Sequence, residues 1–151
     1  MNLSTHFTFD ELTRTGQTAL QTKNREEAQA CMGALTALAT TILEPIRAKF
    51  GPIKVNSAFR GPAVNSAVGG SKTSQHMSGQ AADIVVPGVA LEVVFAWIVK
   101  ESGLPFGQAI LEGPGGKVAW IHISLGEPYR PREKSRQALT WDGSVYAPWK
   151  G

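Results

Sequence analysis

The stretch that decides the fold is Gln108-Ala109-Ile110-Leu111-Glu112-Gly113-Pro114-Gly115-Gly116-Lys117-Val118-Ala119-Trp120-Ile121-His122-Ile123-Ser124-Leu125. Two runs of apolar and strand-forming residues flank a connection of glycine and proline, the pattern of two joined strands. Side chains alternate across a strand, so His122 shares a face with Val118, Trp120 and Ser124. Ala119, Ile121, Ile123 and Leu125 take the other face. One face is fit for a core and the other carries a histidine.

Working outward, Ile53 to Phe59 and Ala82-Asp83-Ile84-Val85-Val86 are two more strand candidates. The helical signals come mostly earlier. Thr8 is placed to cap a short helix over residues 9–15, with Glu11 reaching back and Phe7 and Leu12 as a hydrophobic staple. Asn24, with Glu27 three residues on, is placed to cap a long helix over residues 25–50. Ala28, Cys31, Leu35, Leu38, Ile42, Ile46 and Phe50 form its apolar face. Pro45 should kink that helix, and Gly51-Pro52 should end it. Short helices are expected over 62–68 and 91–101, with a polar loop over 72–79. The fold class is therefore α+β: a small, mainly antiparallel sheet with N-terminal helices packed on it.

At 151 residues the chain is expected to form one domain, 1–151, with a core that needs no staples. No run is long and apolar enough to span a membrane. The opening residues lack the basic start and apolar run of a secretory signal, so the expectation is a protein made in the cytoplasm. A single cysteine, Cys31, excludes an internal disulfide and a multi-cysteine zinc site. It reads as a buried small hydrophobe. The net charge of +3 is mild and spread out. A solvated basic surface is the plain reading, and weak attraction to an anionic polymer fits too. A nucleic-acid interface would want a denser basic stripe with interleaved aromatics.

Of the three histidines, His6 lies in the N-terminal lead-in and the other two have distinctive settings. Asp83 begins an apolar strand, where a carboxylate is costly unless it is paired, hydrogen-bonded or on a metal. His76 precedes it across Gly79, which lets the loop fold back. Two imidazoles and a carboxylate suit zinc with one position open, the composition of a catalytic site. The spacing of His76 and Asp83 is by itself a weak metal signal. His122 alone reads equally as a core histidine, and Asp83 alone as a loop cap.

The wider pattern adds a resemblance. Ser57-Ala58-Phe59-Arg60-Gly61-Pro62-Ala63-Val64-Asn65 is followed by Val68-Gly69-Gly70. Then come Ser74-x-His76-x-x-Gly79-x-Ala81-x-Asp83 and Trp120-Ile121-His122-Ile123-Ser124. In this order they resemble the zinc D-Ala-D-Ala carboxypeptidase and murein endopeptidase family, whose fold is hedgehog-like. Among its members the small phage-type endolysins are the most similar. The opening Leu3-Ser4-x-His6-Phe7-Thr8-x-x-Glu11-Leu12 is similar to theirs as well. The resemblance covers about residues 3–125 and leaves 127–151 unassigned.

The resemblance implies that His76, Asp83 and His122 hold Zn2+. It also implies that Arg60 binds a substrate carboxylate or carbonyl and that Ser74 lies near the substrate. The implied activity is hydrolysis of an amide bond in peptidoglycan stem peptides or cross-links. The implied partner is a stem peptide, with no nucleic acid, met by a monomer acting on the cell wall after release, or carried by a virion. One departure matters. Many relatives carry a catalytic carboxylate two or three residues before the second histidine, and here Trp120 and Ala119 stand there. Glu112 is the nearest acidic candidate for the general base, and Glu127 in the tail is another. The rival reading is a zinc-bearing module that binds peptidoglycan or a protein without cutting it.

Overall fold

A computed structural model describes all of residues 1–151. Thr8 caps α1 (Phe9–Leu12), its hydroxyl accepting the Glu11 N–H at 3.0 Å. Phe7 and Leu12 are both buried, as a staple requires. The helix is shorter than the expected 9–15. The Thr13 hydroxyl bonds back to the Phe9 carbonyl, and the Thr13 carbonyl is taken by the Gln21 and Asn24 side chains. Tertiary partners thus replace the next helical turn.

The expected single helix over 25–50 is instead a helical run that starts earlier and changes pitch twice. It comprises α2 (Gln21–Ala28), a 3-10 turn (Gln29–Cys31), α3 (Met32–Leu38), a π turn (Ala39–Leu43) and α4 (Glu44–Phe50). Pro45 has no N–H to continue the ladder, and its ring crowds the preceding turn. The π turn just before it absorbs the mismatch. The apolar face is as read: Ala28, Leu35, Leu38, Ile42 and Ile46 are fully buried. Cys31 is only half-buried, packed against the core rather than inside it.

Asn24 is not a cap. It lies inside α2 and is completely buried. Its Nδ2 donates to the Thr13 carbonyl at 2.7 Å and the Phe59 carbonyl at 3.2 Å, and its Oδ1 accepts the Gly61 N–H at 2.8 Å. The helix begins four residues earlier than expected, at Gln21, because Thr18–Leu20 form a 3-10 turn that leads into it. That frees the asparagine to tie the helix to the backbone on both sides of Arg60.

The remaining elements are β1 (Lys54–Ser57), α5 (Pro62–Ala67), β2 (Ala81–Val85), α6 (Leu91–Lys100), β3 (Phe106–Glu112), β4 (Trp120–Leu125), β5 (Gln137–Trp141) and β6 (Tyr146–Pro148). They make a six-stranded sheet of order β1-β2-β4-β3-β5-β6. Every pairing is antiparallel except β3 with β5. The expected hairpin is β3–β4, and the residues left unassigned supply β5 and β6. Helices α3 and α6 pack on one face, where Ala82, Ile84, Phe106, Ala109, Leu111, Ile121 and Ile123 join the core. The alternate residues point to the opposite face, which the helices leave open.

The N-terminal lead-in is pinned to this body by one carboxylate. Glu44 accepts the Ser4 hydroxyl at 2.6 Å and the His6 backbone N–H at 2.7 Å, and it meets the His6 ring at 2.7 Å. Burial disfavours its charge, but these bonds outweigh that and hold its carboxyl below the ordinary glutamate range. The sign follows from that direction. The stabilisation is complete above the unfolded value of about 4.3 and is lost as pH falls through the lower folded value.

Glu44→Gln should cost about 1–2 kcal/mol at neutral pH. The gap to wild type, read from urea midpoints, should close as pH falls below about 4. Asn24→Ala strands three buried backbone groups on two segments and should cost about 2–4 kcal/mol. A loss under about 0.5 kcal/mol, the usual range of a surface change, would contradict that role.

Candidate metal centre and its cleft

Asp83 on β2 stands directly opposite His122 on β4. The two side chains share the open face, and His122 Nδ1 lies 3.1 Å from Asp83 Oδ1. His76 arrives from a 3-10 turn (Gln75–Ser78) capped by Ser74, whose hydroxyl accepts the His76 N–H at 3.2 Å. Gly79 ends that turn in the left-handed region, at φ 70. A side chain there would meet Cys31 and Leu35 at 3.0 Å, so glycine is needed for both conformation and space. His76 Nδ1–H donates to the Ala58 carbonyl at 2.7 Å, which leaves Nε2 bare and 3.4 Å from Asp83 Oδ1.

These three ligand atoms lie within 4.8 Å of one another. Ligands on a tetrahedral zinc at about 2.0–2.1 Å stand about 3.3 Å apart. The separations from Asp83, 3.1 and 3.4 Å, therefore fit a metal between the side chains. The donor chemistry fits too. His76 has the backbone partner that fixes a ligand's tautomer. Burial works against the Asp83 charge, but the hydrogen bond from His122 outweighs it and holds the carboxyl far below its usual range. An anion flanked by imidazoles in a nearly dry spot is a ready cation site.

The cluster opens into a cleft of about 520 Å³. Arg60 and the 71–75 segment form one wall, and Gln108, Glu112, Trp120, Arg130, Leu139 and Tyr146 form the other. Arg60 donates to the Ser74 hydroxyl at 3.3 Å through Nη2, and its own N–H binds the His76 carbonyl at 3.1 Å. Its Nε is buried without a partner. Glu112 sits two register positions from the His122 pair, on the same face: Ile110 faces His122 and Glu112 faces Trp120. Trp120 Nε1–H donates to Glu112 Oε1 at 3.0 Å. The residue in the place expected of a base thus orients the glutamate beside it. His76, Asp83, His122, Arg60, Ser74 and Glu112 all line this cleft. Glu127 does not. It is exposed, beside Pro105 and Arg132.

Sequence reading missed the wall built from the tail. Arg130, Leu139 and Tyr146 face the metal cluster from β5, β6 and the turn before them. A signal was present: Asp142-Gly143 sits between Leu139-Thr140-Trp141 and Val145-Tyr146, a turn pair between strand formers. Tyr146 stacks on Trp141 with ring centroids 4.6 Å apart. Burial, and then the charges of Glu112 and Asp83, push its phenol pKa up, so it keeps its proton and remains a donor.

No curated protein is similar enough to the chain to match it. The family model described as Peptidase M15 matches residues 5–124, most of the chain and every metal-cluster residue. Peptidases of this family are zinc-dependent hydrolases, in keeping with the cluster that His76, Asp83 and His122 form. On that match and this site, the chain belongs to the peptidase M15 family of zinc metallopeptidases.

Proposed function

We propose that this metallopeptidase hydrolyses an amide bond in the stem peptides or cross-links of peptidoglycan, as a D-Ala-D-Ala carboxypeptidase or a murein endopeptidase. The observation that carries the reading is Arg60. Its guanidinium lines the metal cleft, touches only a neutral hydroxyl and has no carboxylate within 4.0 Å. A permanently charged fork left free beside a hydrolytic site suits a substrate with a free carboxylate. Short wall peptides carry such groups, whereas internal stretches of ordinary proteins need not.

Zinc, when held by His76, Asp83 and His122, supplies a Lewis acid and lowers the pKa of water toward about 7. The chain's own residues do the rest. Glu112, oriented by Trp120, removes a proton from the attacking water and hands it to the leaving amine. Arg60 holds the substrate carboxylate or carbonyl and fixes the peptide's register. Ser74 supports Arg60 and caps the turn that carries His76, so substrate binding and ligand placement share one segment. Tyr146 offers a proton-bearing phenol on the opposite wall. A module that binds without cutting would have no use for an oriented carboxylate here.

The cleft is complete within one chain, which favours a monomer. A wall substrate requires the protein to leave the cytoplasm or to travel with a virion, the habit of the phage-type endolysins that the sequence resembles. No helix is long and apolar enough to cross a membrane.

Loaded with zinc, the protein should release muropeptide fragments from purified murein, and their masses identify the bond. Chelation should stop this, and added zinc should restore it. Glu112→Gln should lower the rate by about 10²–10⁴ with zinc still bound. Murein hydrolysis at the wild-type rate by that variant would assign the proton transfer elsewhere. Arg60→Ala should lower turnover at unchanged zinc content, whereas His122→Ala should lose the metal itself.

A further inference from the structure

Arg130 lies outside the matched residues 5–124, yet it is built into the cleft with some care. Its Nη2 donates to Gln137 Oε1 at 2.8 Å, and its Nε donates to the Lys134 carbonyl. Gln108 Nε2 donates to the same Gln137 oxygen at 3.1 Å. The arginine stem crosses Gly107, where a Cβ would stand 2.8 Å from Arg130 Cδ and 2.4 Å from the Leu125 carbonyl. A bulge between Phe106 and Ala109 sets this up, with the Gln108 N–H turned to the Ser124 hydroxyl at 2.9 Å. No carboxylate lies within 4.0 Å of the guanidinium. Every partner it has is neutral, and the Nη1 side of its fork stays free to receive an anion.

Strand order places this group relative to the metal cluster. Arg60 follows β1, Asp83 is on β2 and His122 on β4. Gln108 and Gln137 are on β3 and β5, the next two strands of the sheet. The ligands therefore lie between the two arginines. Two strand spacings from β4 to β5 amount to about 10 Å. An extended peptide covers that in about three residues.

We propose that Arg130, held by Gln137 over Gly107, is a second carboxylate receptor of this cleft. The substrate is then an acidic peptide with one carboxylate for Arg60 and another for Arg130, about two or three residues beyond the scissile amide. The proposal rests on the wall-peptide reading above and sharpens it, because it excludes neutral peptides as good substrates. Lysine would serve less well here, since the anchoring by Gln137 and Lys134 uses a fork with donors to spare.

The test is binding, so it does not depend on turnover. The probes are the synthetic stem peptide L-Ala-γ-D-Glu-L-Lys-D-Ala-D-Ala and two analogues. In one analogue the D-Glu α-carboxylate is a primary amide, and in the other the C-terminal carboxylate is. Calorimetry uses the zinc-loaded full chain carrying Glu112→Gln, so that peptide is not consumed. Each carboxylate should tighten binding about 10- to 100-fold over its amide, the worth of a charge-assisted bond. Adding Arg130→Gln should bring one of these ratios close to one and leave the other standing. Arg60→Ala should do the converse, and Arg130→Lys should give an intermediate ratio. Both peptides of a ratio are measured on the same variant, so a general loss of fold cancels. If both ratios survive in Arg130→Gln, the receptor role is overturned while the wall-peptide reading stands. If no peptide of the series binds, the wall-peptide reading fails and this proposal falls with it.

Discussion

The register of β2 on β4 is the constraint on which the site depends. It sets Asp83 opposite His122 on the open face and Ile84 opposite Ile121 on the core face. Side chains alternate with a period of two, so a one-residue slip would exchange the faces. Turning Ile84 and Val86 out to water would forfeit about 3–6 kcal/mol of burial. That is a large part of the 5–15 kcal/mol that holds a typical domain together. Hydrophobic burial therefore locks in place two polar groups that would not choose each other unaided. The cost of burying a carboxylate is met within the same pair, since His122 bonds to Asp83.

The third ligand is placed by a different device. His76 rides on a turn whose backbone meets the segment around Arg60. The Ala58 carbonyl takes His76 Nδ1–H, and the Arg60 N–H takes the His76 carbonyl. That segment is in turn held by Asn24, which bonds the Phe59 carbonyl and the Gly61 N–H. Helix α2 contributes no residue to the metal cluster, yet it fixes the backbone that carries Arg60 and steadies one imidazole. A change at Asn24 should therefore disturb binding and metal affinity together, where a change confined to Glu112 disturbs neither.

Much of this was legible in the residues, and the exceptions have physical causes. The strand pair and the apolar helix face were readable because period and residue type carry them directly, whereas the ligand set was readable only through the family resemblance, since the spacing of His76 and Asp83 is weak by itself. Asn24 misled because asparagine favours helix starts when nothing else claims it. Here Thr13, Phe59 and Gly61 claim it, and no local pattern reveals partners that far along the chain. Pro45 was readable as a disturbance, but the π turn it induces is a matter of how the core holds the helix on both sides. Glu112 was put forward as a base by elimination. Its fixing by Trp120 became visible only with the strands paired. The tail was harder. β5 is half-buried along its whole length and β6 is exposed, so neither shows the clean alternation that marks a strand.

That weak pattern follows from what the tail does. Without β5, β3 would be an open edge carrying Ile110 and Leu111, both nearly buried in the complete sheet. β5 covers it in parallel, which obliges residues 126–136 to cross from the end of β4 past β3. That crossing is where Arg130 sits. The metal cluster and the proposed base belong to the part of the chain that the family shares. The wall that faces them comes from the strands that seal the sheet's exposed edge. A single structural need therefore brings a new set of side chains to the cleft. Lengthening or replacing those last strands is a route by which a family could keep one hydrolytic chemistry and change the peptides it accepts.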